Sequence, residues 1–208
     1  MAESFIQSND DVVAVFCSGF LPSVEYVMFV NNHTNIVLDH SENWQKQTAR
    51  NRCFILSPNG IQSLIIPIKH NQRKPVKIKD IRISYDVPWI RVHKGALQAA
   101  YNTSANFEYL KDDLWAFYDQ KFEFLIDLNQ TLLEWLLKKL KIKTTIQVIE
   151  SPVTKMKNDF TTISNASSII PTLLSAEQFK TYPQVFGYKH PFQTNLSSFD
   201  LLCSGVTI

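Results

Sequence analysis

The chain has 208 residues, 45% hydrophobic, 19% charged and 12% aromatic, with 21 basic against 19 acidic side chains. That composition supports one domain over residues 1–208 with a full core and excludes a wholly disordered chain, while a net charge of +2 is too balanced for nucleic acid as the main partner. Only five glycines occur, no two closer than 18 residues, so no dinucleotide-binding G-x-G-x-x-G, no P-loop and no G-x-S-x-G elbow can be built.

Residues 1–11 read as a flexible N-terminus; Glu3, Asp10 and Asp11 stand where a secretory signal would carry basic residues. Val12–Cys17 is a continuous, largely β-branched apolar run, the pattern of a strand buried on both faces. Ser18–Pro22 is a turn, and Pro22 opens a helix over Pro22–Val30. Ile36–Leu38 is a second buried strand, and strand, helix and strand in so short a span predict a parallel βαβ unit. Cys53–Ser57 and Gln62–Lys69 form a hairpin around Asn59-Gly60. Lys69–Lys79 is a basic loop, and Ile78–Tyr85 alternates as a half-buried strand does. Asp86 caps a helix that runs through Tyr101 with Pro88 just inside it. Lys111–Leu140 is a long helical region with a break near Tyr118, Thr144–Ile149 a strand, Ser151–Ser168 irregular, and Ser197–Leu202 a short helix. The fold class is α/β: a single domain with a mixed sheet, an initial βαβ unit, a β-hairpin and flanking helices.

The longest uncharged apolar stretch, Val12–Val24, contains Gly19 and Pro22 and is too short to span a bilayer. Three dispersed cysteines without a C-x-x-C pair suit a reducing compartment. These features predict a cytoplasmic protein with no membrane span, and make its five N-x-[ST] sequons coincidental.

Chemistry concentrates in His40–Cys53. Lys46, Arg50 and Arg52 lie there among amide side chains, including Asn51, between strands. Long donors so grouped either recognise a carboxylate or phosphate or form a solvated loop with one structural ion pair. His93 shares a helix face with Trp89, as a general base or a core histidine. Cys17 ends the first strand, either as a nucleophile or as an inert small hydrophobe. Asp39, His40 and Glu42 could join a metal site only through tertiary assembly, because the five histidines show no H-x-H or H-x-x-x-H spacing; no metal is assigned. No motif specifies CoA, folate or ATP, so the cofactor is unknown.

Glu42–Leu56 (ENWQKQTARNRCFIL), Asn59-Gly60 and Ile65–Ile68 together resemble the WbqC-like protein family. Pro88–His93, Ala100–Tyr109, Phe117–Asn129, Tyr182–His190 and Asn195–Leu202 extend the resemblance over about residues 14–205, with its Bacteroidota-type branch nearest. The resemblance implies a protein tied to O-antigen and other surface-polysaccharide gene clusters. The implied activity is transfer of an acyl or aminoacyl group to an amino sugar. Lys46, Arg50, Asn51, Arg52, His93 and Tyr101 fall on its motif positions. In that reading His93 is the base and Tyr101 a positioning hydroxyl. Arg50 and Arg52 hold a diphosphate or an oxyanion, Lys46 assists, and Asn51 holds a small-molecule substrate such as a nucleotide-linked amino sugar. The alternative is a non-catalytic module or scaffold that recognises an anionic nucleotide-sugar or glycan precursor. Two departures stand out: Phe20 replaces a usual tyrosine, and Thr172-Leu173 follow Pro171 where basic residues are expected.

Overall fold

In the computed structural model the described residues are 14–69, 75–151, 158–159 and 180–206. Strand β1 (Ala14–Phe16), helix α1 (Val24–Asn31) and strand β2 (Asn35–Asp39) form the expected parallel βαβ unit, with Val15 opposite Val37. Strand β7 (Thr145–Ile149) pairs parallel with β2, and β8 (Asn158–Asp159) pairs parallel with β1, giving the order β7-β2-β1-β8. All four strands run the same way, so their carboxyl ends lie along one edge. The apolar run of β1 is fully buried, as a strand covered on both faces must be.

The hairpin also forms. Strand β3 (Arg52–Ser57) pairs antiparallel with β4 (Gly60–Ile65), and Gly60 takes the positive φ of 102° that the tight turn requires. Gln62–Lys69 is not one strand, however. It breaks at Ile66-Pro67, after which β5 (Ile68–Lys69) pairs with β6 (Arg82–Ile83). Proline supplies no N–H to continue a ladder.

Ile78–Tyr85 is corrected as well. Ile78–Asp80 is a 3₁₀ turn, and only Arg82–Ile83 is strand. The backbone partners there come from elsewhere: Ile78 N–H donates to Glu42 O, Ile83 N–H to Glu123 O, and Leu125 N–H to Ile81 O. Of the basic loop, residues 70–74 lie outside the described residues, as do residues 1–11 and most of Ser151–Ser168.

Helix α1 begins at Val24, with Ser23 as its cap accepting from Tyr26 N–H at 3.3 Å. Pro22 therefore stands just outside the helix, not at its first position. Helix α2 (Trp89–Tyr101) starts after Pro88 without a side-chain cap, because the Asp86 carboxylate accepts from the Ser84 hydroxyl at 2.7 Å. The long helical region divides into α3 (Phe107–Asp119) and α4 (Leu125–Lys139); Lys121, at a positive φ of 52°, marks the break. Helix α5 (Ser198–Cys203) packs among α1, α3 and α4. The apolar faces of these helices join β1, β2 and the hairpin in one continuous core that includes Phe16, Ile36, Leu97, Leu132 and Phe199. No helix among the described residues is long and apolar enough to cross a membrane.

Candidate functional site

The carboxyl ends of parallel strands are where open α/β sheets place ligands. Here β1 leads into Cys17-Ser18, β2 into His40-Ser41-Glu42, and β7 into Glu150. Helix α4 crosses this edge and puts a polar residue, Asn129, on its buried face. Its Nδ2 donates to Ser18 Oγ at 3.0 Å and to Arg50 O at 2.8 Å, which ties the β1 turn to the polar segment after β2.

Arg50 is fully buried. Its guanidinium grips the Glu42 carboxylate with both Nε and Nη2, and Nη1 donates to Thr48 Oγ1 at 3.2 Å. Burial disfavours its charge, but the hydrogen bonds of Glu42 and the nearby Cys17 and Asp39 more than compensate and raise its pKa. Thus the segment contains the structural ion pair that was one of its two readings.

His40 directly follows the last residue of β2. It is 4% exposed, its backbone N–H donates to Ile149 O at 2.9 Å, and its Nε2 is buried with no hydrogen-bond partner. Burial lowers its pKa, against the opposing pull of Glu150, Asp127 and Asp39; Lys79 lowers it further. The imidazole is therefore neutral at pH 7. The carbonyl oxygens of Asn51 and Asn129 are also buried without donors, as is the Trp44 indole N–H without an acceptor. Polar groups so placed normally find partners. Asp39 and Glu42 are directed elsewhere: Asp39 Oδ1 accepts from Ser41 N–H and Oγ, and Glu42 is held by Arg50. Among the described residues no three His, Cys, Asp or Glu side chains converge as a metal site.

The residues singled out from sequence do not share one cleft. Asn51 is buried and donates Nδ2 to Ile66 O at 2.8 Å. Lys46 is exposed. Arg52 lines a narrow cleft with Ser23, Tyr26, Ala49, Asn195 and Ser197. His93 stands in the aromatic core against Phe20, Trp89 and Tyr118. Its Nε2–H donates to Ile65 O at 3.1 Å, and Nδ1 faces the Tyr118 hydroxyl at 3.5 Å. Burial lowers its pKa to about 4, although the Ile65 bond favours the cation. Tyr101 lies two helical turns on, about 12 Å along the axis. It is buried, and its hydroxyl lies toward Asp200 without closing a hydrogen bond. Cys17, just past the end of β1, is a fully buried thiol.

From sequence alone His40 offers itself only as a metal ligand. The signal for more was its position immediately after a buried parallel strand. Asn129, a lone amide on an otherwise apolar helix face, was a second. A roomier groove of about 420 Å³ lies at the amino end of β7, lined by Glu134, Lys138 and Thr144, away from the edge that gathers His40 and Asn129.

Comparison with curated proteins and with solved structures finds no match. The family model of the WbqC-like protein family matches residues 18–169, which include Ser18, His40, Glu42, Arg50, Asn51 and Asn129, and the chain belongs to that family.

Proposed function

We propose that the protein transfers an acyl or aminoacyl group to the amine of an amino sugar, on the cytoplasmic side of surface-polysaccharide (O-antigen) biosynthesis. The observation that carries the reading is His40: a neutral imidazole at the carboxyl edge of the parallel sheet, its Nε2 buried and unpartnered. Family membership supplies the polysaccharide context.

In this reading His40 accepts the proton of the substrate ammonium. The freed amine attacks the acyl carbonyl carbon and a C–N bond forms. The bond from that carbon to the donor's oxygen or sulfur breaks; of the two protons the nitrogen gives up, one passes by way of His40 to the leaving group and the other to solvent. The Asn51 and Asn129 carbonyls accept from sugar hydroxyls. Arg50, held by Glu42, fixes the wall of the site and does not contact phosphate. His93 and Tyr101 support the core behind it, and the exposed Lys46 meets an anionic substrate from outside.

The test is acyl transfer to UDP-, GDP- and dTDP-linked amino sugars from acyl-CoA donors, with binding followed by thermal shift. His40→Gln is expected to lower turnover by about 10²–10⁴ while leaving the sugar-dependent shift in place. Turnover unchanged in His40→Gln refutes the base.

A second reading is a non-catalytic module for an anionic nucleotide-sugar or glycan precursor. It draws on the same unpartnered amide oxygens and on the enclosure of His93 and Tyr101. Saturable binding without turnover from any donor favours it.

A further inference from the structure

Two arginines two residues apart meet opposite fates. Arg50 is fully buried and neutralised by Glu42. Arg52 is half-buried, its Nε is enclosed without an acceptor, and no ion pair among the described residues includes it. A partly desolvated guanidinium with no acceptor is costly unless an acceptor arrives.

Arg52 opens onto the cleft formed by the β1–α1 turn, the start of β3 and the segment before α5. Among the described residues Arg52 is the only charged side chain lining it; Ser23, Asn195 and Ser197 line it with neutral polar groups. The Ser197 hydroxyl is spent on Leu21 O at 2.9 Å, whereas Ser23 Oγ accepts from Tyr26 N–H and keeps its own proton to donate. The buried Glu25 carboxylate behind the cleft already takes Asn195 Nδ2 at 3.2 Å. The enclosed volume is about 20 Å³, room for one water-sized atom, so an oxygen enters while the rest of its group stays outside.

We infer that this cleft is an oxyanion site, in which Arg52 and the Ser23 hydroxyl take one oxygen of a phosphoryl or carboxylate group. A guanidinium suits either anion, because its donors match the spacing of their oxygens. The site stands independently of the reaction proposed at His40.

The test is a titration of the ¹⁵N-labelled full chain, read at the Arg52 Nε–Hε signal, which is assigned by its absence in Arg52→Gln. Inorganic phosphate, acetate and UDP are added separately, each against sodium chloride of equal ionic strength. A saturable shift with phosphate and UDP supports a phosphoryl ligand, and one with acetate alone supports a carboxylate. Affinity should fall about 10–100-fold in Arg52→Gln and less in Arg52→Lys, which keeps the charge but loses the fork. If Arg52→Gln does not fold, the wild-type titration and Arg52→Lys still decide. No saturable shift from any of the three anions, or the same shift with chloride, overturns the inference.

Discussion

Glu42 and Arg50 are joined at both ends: Arg50 Nε donates to Oε1 at 2.8 Å and Nη2 to Oε2, inside a wall where the arginine has no exposed side-chain surface. Removing one partner strands the other as a buried charge. Arg50→Ala or Glu42→Ala should therefore cost about 3–5 kcal/mol in urea-melt stability. The double variant Glu42→Leu/Arg50→Met should recover part of that loss. If either single variant costs under about 1 kcal/mol, the pair is not the keystone of this edge.

Asp200 offers a pH test. It is buried, accepts from the Tyr182 hydroxyl at 2.8 Å, and burial raises its pKa to about 6 despite that hydrogen bond and the nearby polar groups of Tyr101 and Gln184. The folded state then holds this proton more tightly than the unfolded chain, so stability falls as pH rises from about 4 to about 6. The difference is on the order of 2–3 kcal/mol. Comparing wild type with Asp200→Asn by denaturant melts at several pH values isolates it, because the asparagine still accepts from Tyr182 but cannot titrate.

His93 acts with the opposite sign. Its folded pKa of about 4 lies below the ordinary histidine value, because burial penalises the imidazolium. Stability tied to it is present above about pH 6.5 and is lost as pH falls toward 4. Imidazole ¹⁵N spectra should show His93 as the Nε2–H tautomer, unprotonated down to about pH 4. A titration near pH 6.5 would place the ring in water instead of the aromatic core.

His40 makes a prediction for catalysis. Burial lowers its pKa, so a base at this position stays deprotonated in mildly acid solution. The acid limb of kcat/KM should fall below the ordinary imidazole range and disappear in His40→Gln. A limb centred at or above pH 6.5 would assign the titration to another group.

The three thiols are all buried, and burial pushes those of Cys53 and Cys203 far up. A thiol-specific disulfide reagent should label none of them in native protein and all three after unfolding. Rapid native labelling of Cys17 would reopen a nucleophilic role for it.

The βαβ unit, the Asn-Gly hairpin and the apolar helices were legible in the sequence because each is a local pattern. The Val12–Cys17 run, the turn glycine and the leucine face of α4 depend on neighbours within a few residues. Ile78–Tyr85 misled because its alternation is real, since Ile81 and Ile83 are buried, while its backbone partners come from residues 42 and 123. The site was half legible. The cluster of donors after β2 was visible, and so was an ion pair within it. Which arginine would be neutralised was not, because Glu42 could serve either until the chain folded. His93 drew attention as a histidine beside aromatics, yet the same surroundings enclose it. His40 carried no motif, and its place became meaningful only when β7 and α4 closed around the end of β2.

The turn between β1 and α1 is fastened by a segment far downstream in the sequence. Val24 N–H donates to Leu196 O, Glu25 N–H to Asn195 Oδ1 at 2.9 Å, Ser197 Oγ to Leu21 O, and Ser198 N–H to Pro22 O. These partners lie 170 to 176 residues apart in sequence. During synthesis the first strand and helix must wait, with this turn unlatched, until the segment around Asn195 has emerged from the ribosome. Contacts so distant in sequence make folding slow and leave early apolar segments open to misassociation. A ribosome-stalled chain in which Asn195–Ser198 have not emerged should therefore engage chaperones, and one lengthened until they have cleared the ribosome should let them go.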